Sequence, residues 1–456
     1  MLHPLQAEWD ADLLAGDPLS FPDYAPPGEE SVRTGLSAAG YVAVHGRFDV
    51  LGGSMGAAHG ERVVRAYRRA RDLRLPVVVT SASGGARMQE GMVALLQLAR
   101  TAAAARDHAA AGLLQVAVLR GPTTGGVFAS YVSLADVIAA EPGVTIGFAG
   151  PRVVEMTTGE RLGDGSHTAE SAYRHGLVDA LVARADQPAF VETALGLSSS
   201  LTGFWARSVR NTGVSAPKNP TGPVGSAWDE VLAARDPGRP SGDWWAETLC
   251  SSWVPLRAAP PDPCITAGLA TIDGRRAVVV AMNRARPQPS GYRLAQRAAA
   301  LAGRVGLPVV TLVDTPGADP SPASEAGGIA REIARTFAAL DALPTVSVAV
   351  CVGEGGSGGA LALAHCDRLL LLDHAIFSVI APEGAAAILD RDASTAPERA
   401  QQLRLTAPDL LELGIVDEVL REDEAAVRKA ILRALDDATP DDRRRRADAA
   451  TGRWLR

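Results

Sequence analysis

The stretch Gly121–Ser130 has the sequence GPTTGGVFAS, and a similar stretch, GEGGSGGALA, occupies Gly353–Ala362. Each follows an apolar run that is typical of a buried strand, Leu113–Leu119 in the first case and Val346–Val352 in the second. Each also opens a run of small apolar residues that can form a helix. The sequence therefore predicts a strand, a glycine turn and a helix at two places in the chain.

The two glycine turns predict binding sites made of backbone amides. Glycine has no Cβ, so a ligand can approach the main chain closely, and the first N–H groups of a helix have no intrahelical acceptor. Two amides that point at one place can hold a carbonyl oxygen as it becomes negative, which is an oxyanion hole. Two such turns predict two oxyanion holes.

The similarity between the two parts of the chain extends beyond the turns. Three further pairs of segments match in the same order: Leu75–Thr80 with Leu307–Val313, Ile146–Val153 with Phe377–Gly384, and His175–Val182 with Leu413–Leu420. The register is nearly constant along the chain, with Leu75 matched to Leu307, Gly125 to Gly358 and His175 to Leu413. Two copies are too few for a solenoid, so we interpret the chain as a duplicated α/β domain.

The composition excludes several classes of protein. The 456 residues are 47% hydrophobic and 5% aromatic, which suits two or three globular domains with full cores. A net charge of −7 gives no basic footprint for nucleic acid, and the run Arg443–Arg446 fits a solvated helix end. Met1–Asp12 lacks the pattern of a signal peptide and no apolar run approaches the length of a membrane span, so we expect a cytoplasmic protein.

A segment rich in Pro, Gly and Ser, Leu197–Gly225, predicts a boundary between domains. We expect an N-terminal domain over 1–200, a linker over 201–225 and a C-terminal domain over 226–456. In the second domain, Asp273–Gly274 between two apolar runs predicts a β-hairpin.

Two common motifs overlap the second turn. Gly353, Gly355 and Gly358 fit the dinucleotide pattern GxGxxG, but that pattern belongs near the start of a βαβ unit and its counterpart in the first half lacks it. The pattern GxSxG around Ser357 is typical of a nucleophile elbow, which needs a later acid and then a later histidine. The last histidine is His374, directly after Asp373, which leaves no separate loop for a triad.

No protein base is evident beside the predicted oxyanion holes. Neither copy contains a GK[ST] phosphate loop, an HExxH motif or an ordered pair of carboxylates. The sequence therefore favours a reaction whose proton acceptor arrives with the substrate or with a cofactor.

The motifs of both halves resemble the carboxyltransferase of bacterial acetyl-CoA carboxylase, over roughly Asp17 to Leu420. The motifs that resemble its beta subunit are Gly52–Gly56, Ser81–Gly91, Pro122–Gly126, Ile146–Val153 and His175–Asp179. Those that resemble its alpha subunit are Gly306–Gly317, Gly353–Leu363 and Ser378–Leu389. The resemblance implies a beta–alpha fusion with two crotonase-like domains, each a ββα superhelix.

What the resemblance implies is transfer of CO2 from carboxybiotin to the α-carbon of an acyl-CoA, giving malonyl-CoA or a homologue. In that family the biotin oxyanion left after loss of CO2 takes the α-proton, and the thioester enolate attacks CO2. Carried over by motif, Gly125 and Gly126 hold the thioester oxygen. Gly359 and Ala360 hold the ureido oxygen of biotin.

The same resemblance implies further residues that bind substrate or cofactor in a cleft between the domains. These residues are Ser83, Gly84, Gly85, Arg87, Thr124, Gly317, Gly356 and Gly358. Turn geometry explains Gly84 and Gly317 equally well, and a structural ion pair explains Arg87 equally well.

The resemblance also implies partners. Neither Lys218 nor Lys429 lies in the Met-Lys-Met setting of the family's biotin carrier, so a separate biotin carboxyl carrier protein and a separate biotin carboxylase are expected. A homodimer is expected, with each active site formed between domains of different protomers. The zinc ribbon of the beta subunit is missing, since no cysteine precedes Cys250, so no zinc is expected.

Several departures from the family keep other functions open. Asp319–Gly328 lacks the usual acidic Gly-Gln segment, and the basic stretch before Gly291 has shrunk to Arg284–Ser290. A carboxylase of specialised metabolism fits as well as one that acts on acetyl-CoA. A biotin-independent malonyl-thioester decarboxylase and a non-catalytic subunit that organises a carboxylase complex are the two alternatives.

Overall fold

The structure is a computed structural model, and it describes residues 2–150, 154–155, 165–175, 177–195, 226–256 and 260–455. The linker predicted over 201–225 lies outside the described residues.

One eight-stranded sheet forms the centre of the first half. Its strands are β1 (Leu5–Trp9), β2 (Val32–Ser37), β3 (Val42–Gly46), β4 (Val77–Ser83), β5 (Gln115–Thr124), β6 (Val137–Ala140), β7 (Ile146–Gly147) and β8 (Ala180–Leu181). They pair in the order β1-β2-β3-β4-β5-β6-β8, with β7 on the end of β5. The pairs from β3 onward are parallel, so the sheet is covered by helices on the crossovers.

The second half contains a sheet of the same design. Its strands are β9 (Ser252–Leu256), β10 (Ile265–Ile272), β11 (Arg275–Met282), β12 (Val309–Thr315), β13 (Ser347–Gly356), β14 (Arg368–Leu372), β15 (Ile376–Ser378) and β16 (Glu418–Leu420). Their order, β9-β10-β11-β12-β13-β14-β16 with β15 on β13, repeats that of the first sheet. The two sheets confirm the predicted α/β duplication, and the antiparallel pairing of β10 with β11 confirms the hairpin.

The helices lie between the strands. In the first half they are α1 (Ala57–Leu73), α2 (Gly91–Ala110), α3 (Gly125–Val127), α4 (Ala169–Arg174) and α5 (Gln187–Ala194). In the second half they are α6 (Ala227–Ala234), α7 (Gly242–Leu249), α8 (Pro289–Val305), α9 (Pro322–Ala326), α10 (Ile329–Asp341), α11 (Ser357–Ala364), α12 (Pro382–Leu389), α13 (Ala396–Gln402), α14 (Ala407–Glu412), α15 (Glu424–Asp437) and α16 (Asp442–Gly452). None of the helices in the described ranges is long and apolar enough to cross a bilayer.

The register of the duplication is fixed by these elements. The pairs α1 and α8, β4 and β12, and β5 and β13 each have equal lengths, and all three give the same spacing between the copies. That spacing places Gly125, with φ +62°, opposite Ser357, with φ +56°. The predicted pairing of Gly125 with Gly358 is therefore wrong by one residue, because Gly126 is the counterpart of Gly358. The predicted match of His175 with Leu413 is confirmed, since these residues directly follow α4 and its counterpart α14.

The helix that follows the first turn is shorter than the sequence suggests. After α3 the chain makes a π-helical turn over Phe128–Val132, whereas α11 continues to Ala364. Bulky and β-branched residues fill the first segment, while Ala and Leu, which are stronger helix formers, fill the second. The Ser130 hydroxyl also donates to the Gly126 carbonyl at 2.7 Å, which competes with the regular helical pattern.

The two halves share one hydrophobic core and are joined by the end of the chain. From α16, Thr451 accepts a hydrogen bond from the Gln97 amide at 2.9 Å, and Asp448 accepts one from Arg100 at 2.7 Å. Further on, the Trp454 carbonyl accepts from the Gly16 N–H. The last residues of the second half therefore pack on the first half.

Candidate functional site

The first glycine turn lies directly against the loop that follows β4. A Cβ built on Gly125 would lie 2.9 Å from the Gly85 Cα, and one built on Gly85 would lie 3.1 Å from the Gly125 Cα. The two segments therefore touch through main-chain atoms alone, and both glycines have positive φ, which other residues rarely adopt.

This contact brings two backbone amides together, and we call Ala86 and Gly126 the first amide cradle. A Cβ on Gly126 would lie 3.4 Å from the Ala86 nitrogen. Among the described residues, the Ala86 N–H donates no hydrogen bond. Gly126 is the second residue of α3, where an N–H has no intrahelical acceptor. The Gly125 N–H, by contrast, donates to the Phe148 carbonyl at 3.0 Å, so Gly125 supplies the turn and Ala86 supplies the second amide.

In the second half the residues at the equivalent positions are Ala318 and Gly358, which we call the second amide cradle; here the Ala318 nitrogen lies beside Gly359, since a Cβ built on Gly358 meets only Leu98 within 4 Å. The Ala318 N–H has no acceptor in the part of the chain that the structure describes, and Gly358 is the second residue of α11. A Cβ on Gly359 would lie 2.5 Å from the Ala318 nitrogen and cover it, so glycine at this position leaves that N–H accessible. Ala360 lies one residue further along α11 and is buried.

A hydroxyl clamp shapes the loop of each cradle in the same way. Ser83 Oγ donates to the Gly53 carbonyl at 2.7 Å and accepts from the Gly85 N–H at 3.0 Å. Thr315 Oγ1 donates to the Ala285 carbonyl at 2.7 Å and accepts from the Gly317 N–H at 3.2 Å. The predicted Ser83 is thus a support for the first cradle, and Thr315 is an equivalent residue that the sequence did not reveal.

Arg87 does not reach the cradle surface. Its side chain is fully buried and forms ion pairs with Glu30 and, at 2.8 Å, with Glu90, and it also donates to the Ser54 carbonyl at 2.9 Å. Burial alone would lower the pKa of Arg87, but the charges of Glu30 and Glu90 outweigh it and raise that pKa. Of the two explanations given for Arg87, the structural ion pair is the one that this geometry supports.

The other residues predicted from the resemblance lie around the loops. Gly84 is exposed and its N–H donates to the Gly52 carbonyl at 2.9 Å. Thr124 is buried at the end of β5, with its hydroxyl 3.4 Å from the Ser83 carbonyl. Gly317 has φ +125°, and Gly356 packs so closely against Pro316 that a side chain would not fit. These residues let the strand ends and loops approach each other.

The glycines of the dinucleotide pattern are explained by their neighbours. The space beside Gly353 is filled by the Asp314 carboxylate, and the space beside Gly355 by the Phe377 ring. Ser357 adopts φ +56°, as a nucleophile elbow would, yet among the residues described no histidine bonds its hydroxyl. Neither a dinucleotide site nor a serine triad is supported by this geometry.

The strand that leads to the loop of the second cradle carries a buried carboxylate, Asp314 in β12. Burial raises the pKa of Asp314 to about 6, against the opposing effect of Arg284, whose Nε lies 3.2 Å from its carboxylate. In the register set by the strands, the counterpart of Asp314 is Ala82. The two equivalent strands therefore differ in charge at this position.

One side chain of α2, Leu98, packs against both cradles. The two methyl groups of Leu98 lie beside them, one 2.7 Å from a Cβ built on Gly126 and the other 3.0 Å from one built on Gly358. Glu325 of the second half also accepts hydrogen bonds from the N–H groups of Phe148, at 2.7 Å, and Ala149, at 3.1 Å. Since Phe148 binds the Gly125 N–H, the second half helps to fix the first turn.

Comparisons with known proteins agree with this duplicated design. Residues 38–198 match the model of the carboxyl transferase domain, and residues 225–439 match that of the acetyl co-enzyme A carboxylase carboxyltransferase-like family. The acetyl-coenzyme A carboxylase carboxyl transferase subunits beta/alpha of Salinispora tropica are 45% identical over 399 residues, which cover 82% of this chain and 70% of the relative.

Two further proteins are similar to this chain. A probable biotin-dependent acyl-coenzyme A carboxylase beta3 subunit of Mycobacterium tuberculosis is 38% identical over 406 residues, with 86% of this chain and 80% of the relative covered. Among solved structures, the beta subunit of P. aeruginosa geranyl-CoA carboxylase is 19% identical with a TM-score of 0.40, and the match covers 93% of this chain and 83% of that one.

Proposed function

Because the chain belongs to the carboxyltransferase family of biotin-dependent acyl-CoA carboxylases, we propose that it transfers CO2 from carboxybiotin to the α-carbon of an acyl-CoA. The observation that carries this proposal is the pair of amide cradles, one in each half. Acyl-CoA carboxylation needs two oxygens to be held as they gain negative charge, and each cradle offers two N–H groups to one oxygen.

In the first cradle, the amides of Ala86 and Gly126 hold the thioester oxygen of the acyl-CoA. An enolate forms when the α-proton leaves, and its charge is then on this oxygen. Two fixed N–H groups stabilise that charge without reorganising, and each donor is worth about 2.7–4 kcal/mol in sites of this kind. Ser83 contributes by holding the loop that carries Ala86.

In the second cradle, the amides of Ala318 and Gly358 hold the ureido oxygen of biotin. The fit is supported by Gly359, where any side chain would cover the Ala318 nitrogen. Bound biotin supplies the carboxyl group and accepts the α-proton. The chain's own residues orient that group and stabilise the charge on its oxygen, which explains why the sequence needs no general base of its own.

The test is consumption of malonyl-CoA by the purified chain with and without added biotin. We expect consumption that depends on biotin, and we expect Gly359→Ala to lower it by at least about 100-fold, as loss of an oxyanion donor does. Gly452→Ala is the matched control, since a Cβ there meets nothing within 4 Å. Consumption without biotin would instead indicate a decarboxylase, and no effect of Gly359→Ala in the assembled complex would indicate a non-catalytic subunit.

We also propose that the chain works as a homodimer with a separate biotin carboxyl carrier protein and a separate biotin carboxylase. If each active site joins the first half of one protomer to the second half of its partner, chains carrying Gly126→Val and chains carrying Gly359→Ala complement each other. Co-expression of the two inactive variants should then restore about a quarter of the wild-type activity. No restoration in a dimer of verified mass would contradict a site shared between protomers.

A further inference from the structure

Arg286, in the loop between β11 and α8, is a cation beside the second amide cradle. Its Nη1 lies 3.9 Å from the position of a Cβ built on Gly317, the residue before Ala318. The side chain is half-buried, and it forms no hydrogen bond or ion pair with any of the residues described. The guanidinium therefore stands next to the cradle with its donors unused.

The acidic groups around Arg286 are already occupied. Glu354 forms an ion pair with Arg235 at 2.6 Å. The Asp319 carboxylate accepts hydrogen bonds from the hydroxyl groups of Ser321, at 2.7 Å, and Ser324, at 2.6 Å. Arg286 is thus attracted to both carboxylates without pairing with either, and the positive charge of Arg235 repels it.

An unpaired, partly buried guanidinium costs stability. Burial lowers the pKa of Arg286, which means that the charged form is less well solvated here than in water. The position has no basic equivalent in the first half, where the register of the copies leads to Ser54. A charge that is unfavourable for folding and present only at the second cradle indicates a site for an anion.

We propose that Arg286 binds the carboxylate of the carboxylated reactant at the second cradle. This proposal rests on the proposed function and adds a specificity-determining residue to it. A guanidinium binds a carboxylate through two parallel N–H donors, and this fixes the plane of the group as well as its position. Two reactants of the reaction carry a carboxylate, namely the carboxylated biotin of the carrier and the carboxylated acyl thioester.

The experiment compares Arg286→Met and Arg286→Lys with wild type in both directions of the reaction. In one arm malonyl-CoA is varied at saturating free biotin, and in the other the carboxylated carrier is varied at saturating acetyl-CoA. We expect Arg286→Met to raise KM by about 10- to 100-fold in the arm whose reactant it binds, as loss of a charge-assisted hydrogen bond does, and Lys to restore part of it. The arm that changes identifies the source of the carboxylate.

Stability gives the second readout. Since the unpaired charge is removed, Arg286→Met should have a Tm equal to or higher than that of wild type. Arg293→Met is the control, because Arg293 is an exposed residue of α8 that lies 3.6 Å from Glu332. A KM within about twofold of wild type in both arms, or a lower Tm with a matching loss of kcat, would overturn the proposal. An inactive wild type would overturn the proposed function instead.

Discussion

The two halves of the chain keep the same cradle and support it differently. The hydroxyl of Ser83 and that of Thr315 make equivalent hydrogen bonds, and the loops end in Ala86 and Ala318, which occupy equivalent positions in the two copies. One residue later the halves diverge, because the first has the buried Arg87 and the second has Asp319, which binds two serine hydroxyls.

This comparison distinguishes the features that both cradles share from the charged residues that differ between the halves. Two N–H groups, a close approach of two backbones and one hydroxyl clamp are present twice. The charged side chain beside each loop is not shared, since Arg87 forms ion pairs in the first half and Asp319 accepts hydrogen bonds from two serines in the second. Loss of the Arg87 ion pairs should therefore affect mainly stability, whereas loss of a clamp or of a cradle amide should also affect catalysis.

The largest effect on stability is expected for Arg87→Met. It leaves Glu30 and Glu90 buried without their cation, and loss of one partner from a buried ion pair costs about 3–5 kcal/mol. The free energy of unfolding in urea measures the loss. The control is Arg47→Met, since Arg47 pairs with the exposed Glu29 and Asp49, and such pairs contribute about 0–1 kcal/mol. If both variants lost the same free energy of unfolding, the buried ion pairs of Arg87 would be no more important for stability than the exposed ion pairs of Arg47.

A smaller and matched effect is expected when the hydroxyl clamps are removed. Ser83→Ala and Thr315→Val each leave a carbonyl and a buried N–H without a partner, which costs about 1–3 kcal/mol. Each should also lower kcat, since the cradle amide follows the loop, while Thr315→Ser keeps the hydroxyl and should stay near wild type. Urea unfolding and initial rates of malonyl-CoA consumption measure both effects. If only one of the two clamps mattered, the halves would not be functionally equivalent.

The smallest effect concerns Asp314, which has Ala82 as its counterpart. Its pKa is about 6 in the folded chain, above that of an unfolded aspartate, so the folded state binds more protons between these values. Stability of the wild type should therefore fall as pH rises from about 4 to about 7, and Asp314→Asn should gain about 1–2 kcal/mol relative to it over that range. Urea titrations at several pH values test this. Parallel curves for the two proteins would contradict it.

The duplication and its two glycine turns could be predicted from sequence because they leave a direct trace. Apolar runs followed by paired glycines mark the strand ends at Gly125 and Gly358, and the spacing of the copies gives the register to within one residue. The predicted pairing of the two turns was wrong by one residue because the glycines of the second turn can be aligned with the first turn in two ways. Backbone geometry resolves it, since Ser357 takes the positive φ of Gly125.

The cradle amides could not be assigned from sequence in full. Whether an N–H is free depends on tertiary contacts, such as the bond from Gly125 to Phe148 that excludes Gly125. Alanine has no side-chain signal of its own, although the Gly-Ala pair that ends both loops, at Ala86 and Ala318, is a trace that could have been noticed. The burial of Arg87 depends on Glu30, which is far away in sequence.

The claim that both cradles act through their amides is tested most directly by removing one N–H at a time. An ester link, made by placing lactic acid at the position of Ala86 or of Ala318, removes the N–H and keeps the shape. We predict that each ester lowers kcat by about 100- to 1000-fold. An ester at Ala39, whose N–H donates to Ser37 in the hairpin of β2 and β3, should leave kcat unchanged. Wild-type kcat with an ester at either cradle position would contradict the account.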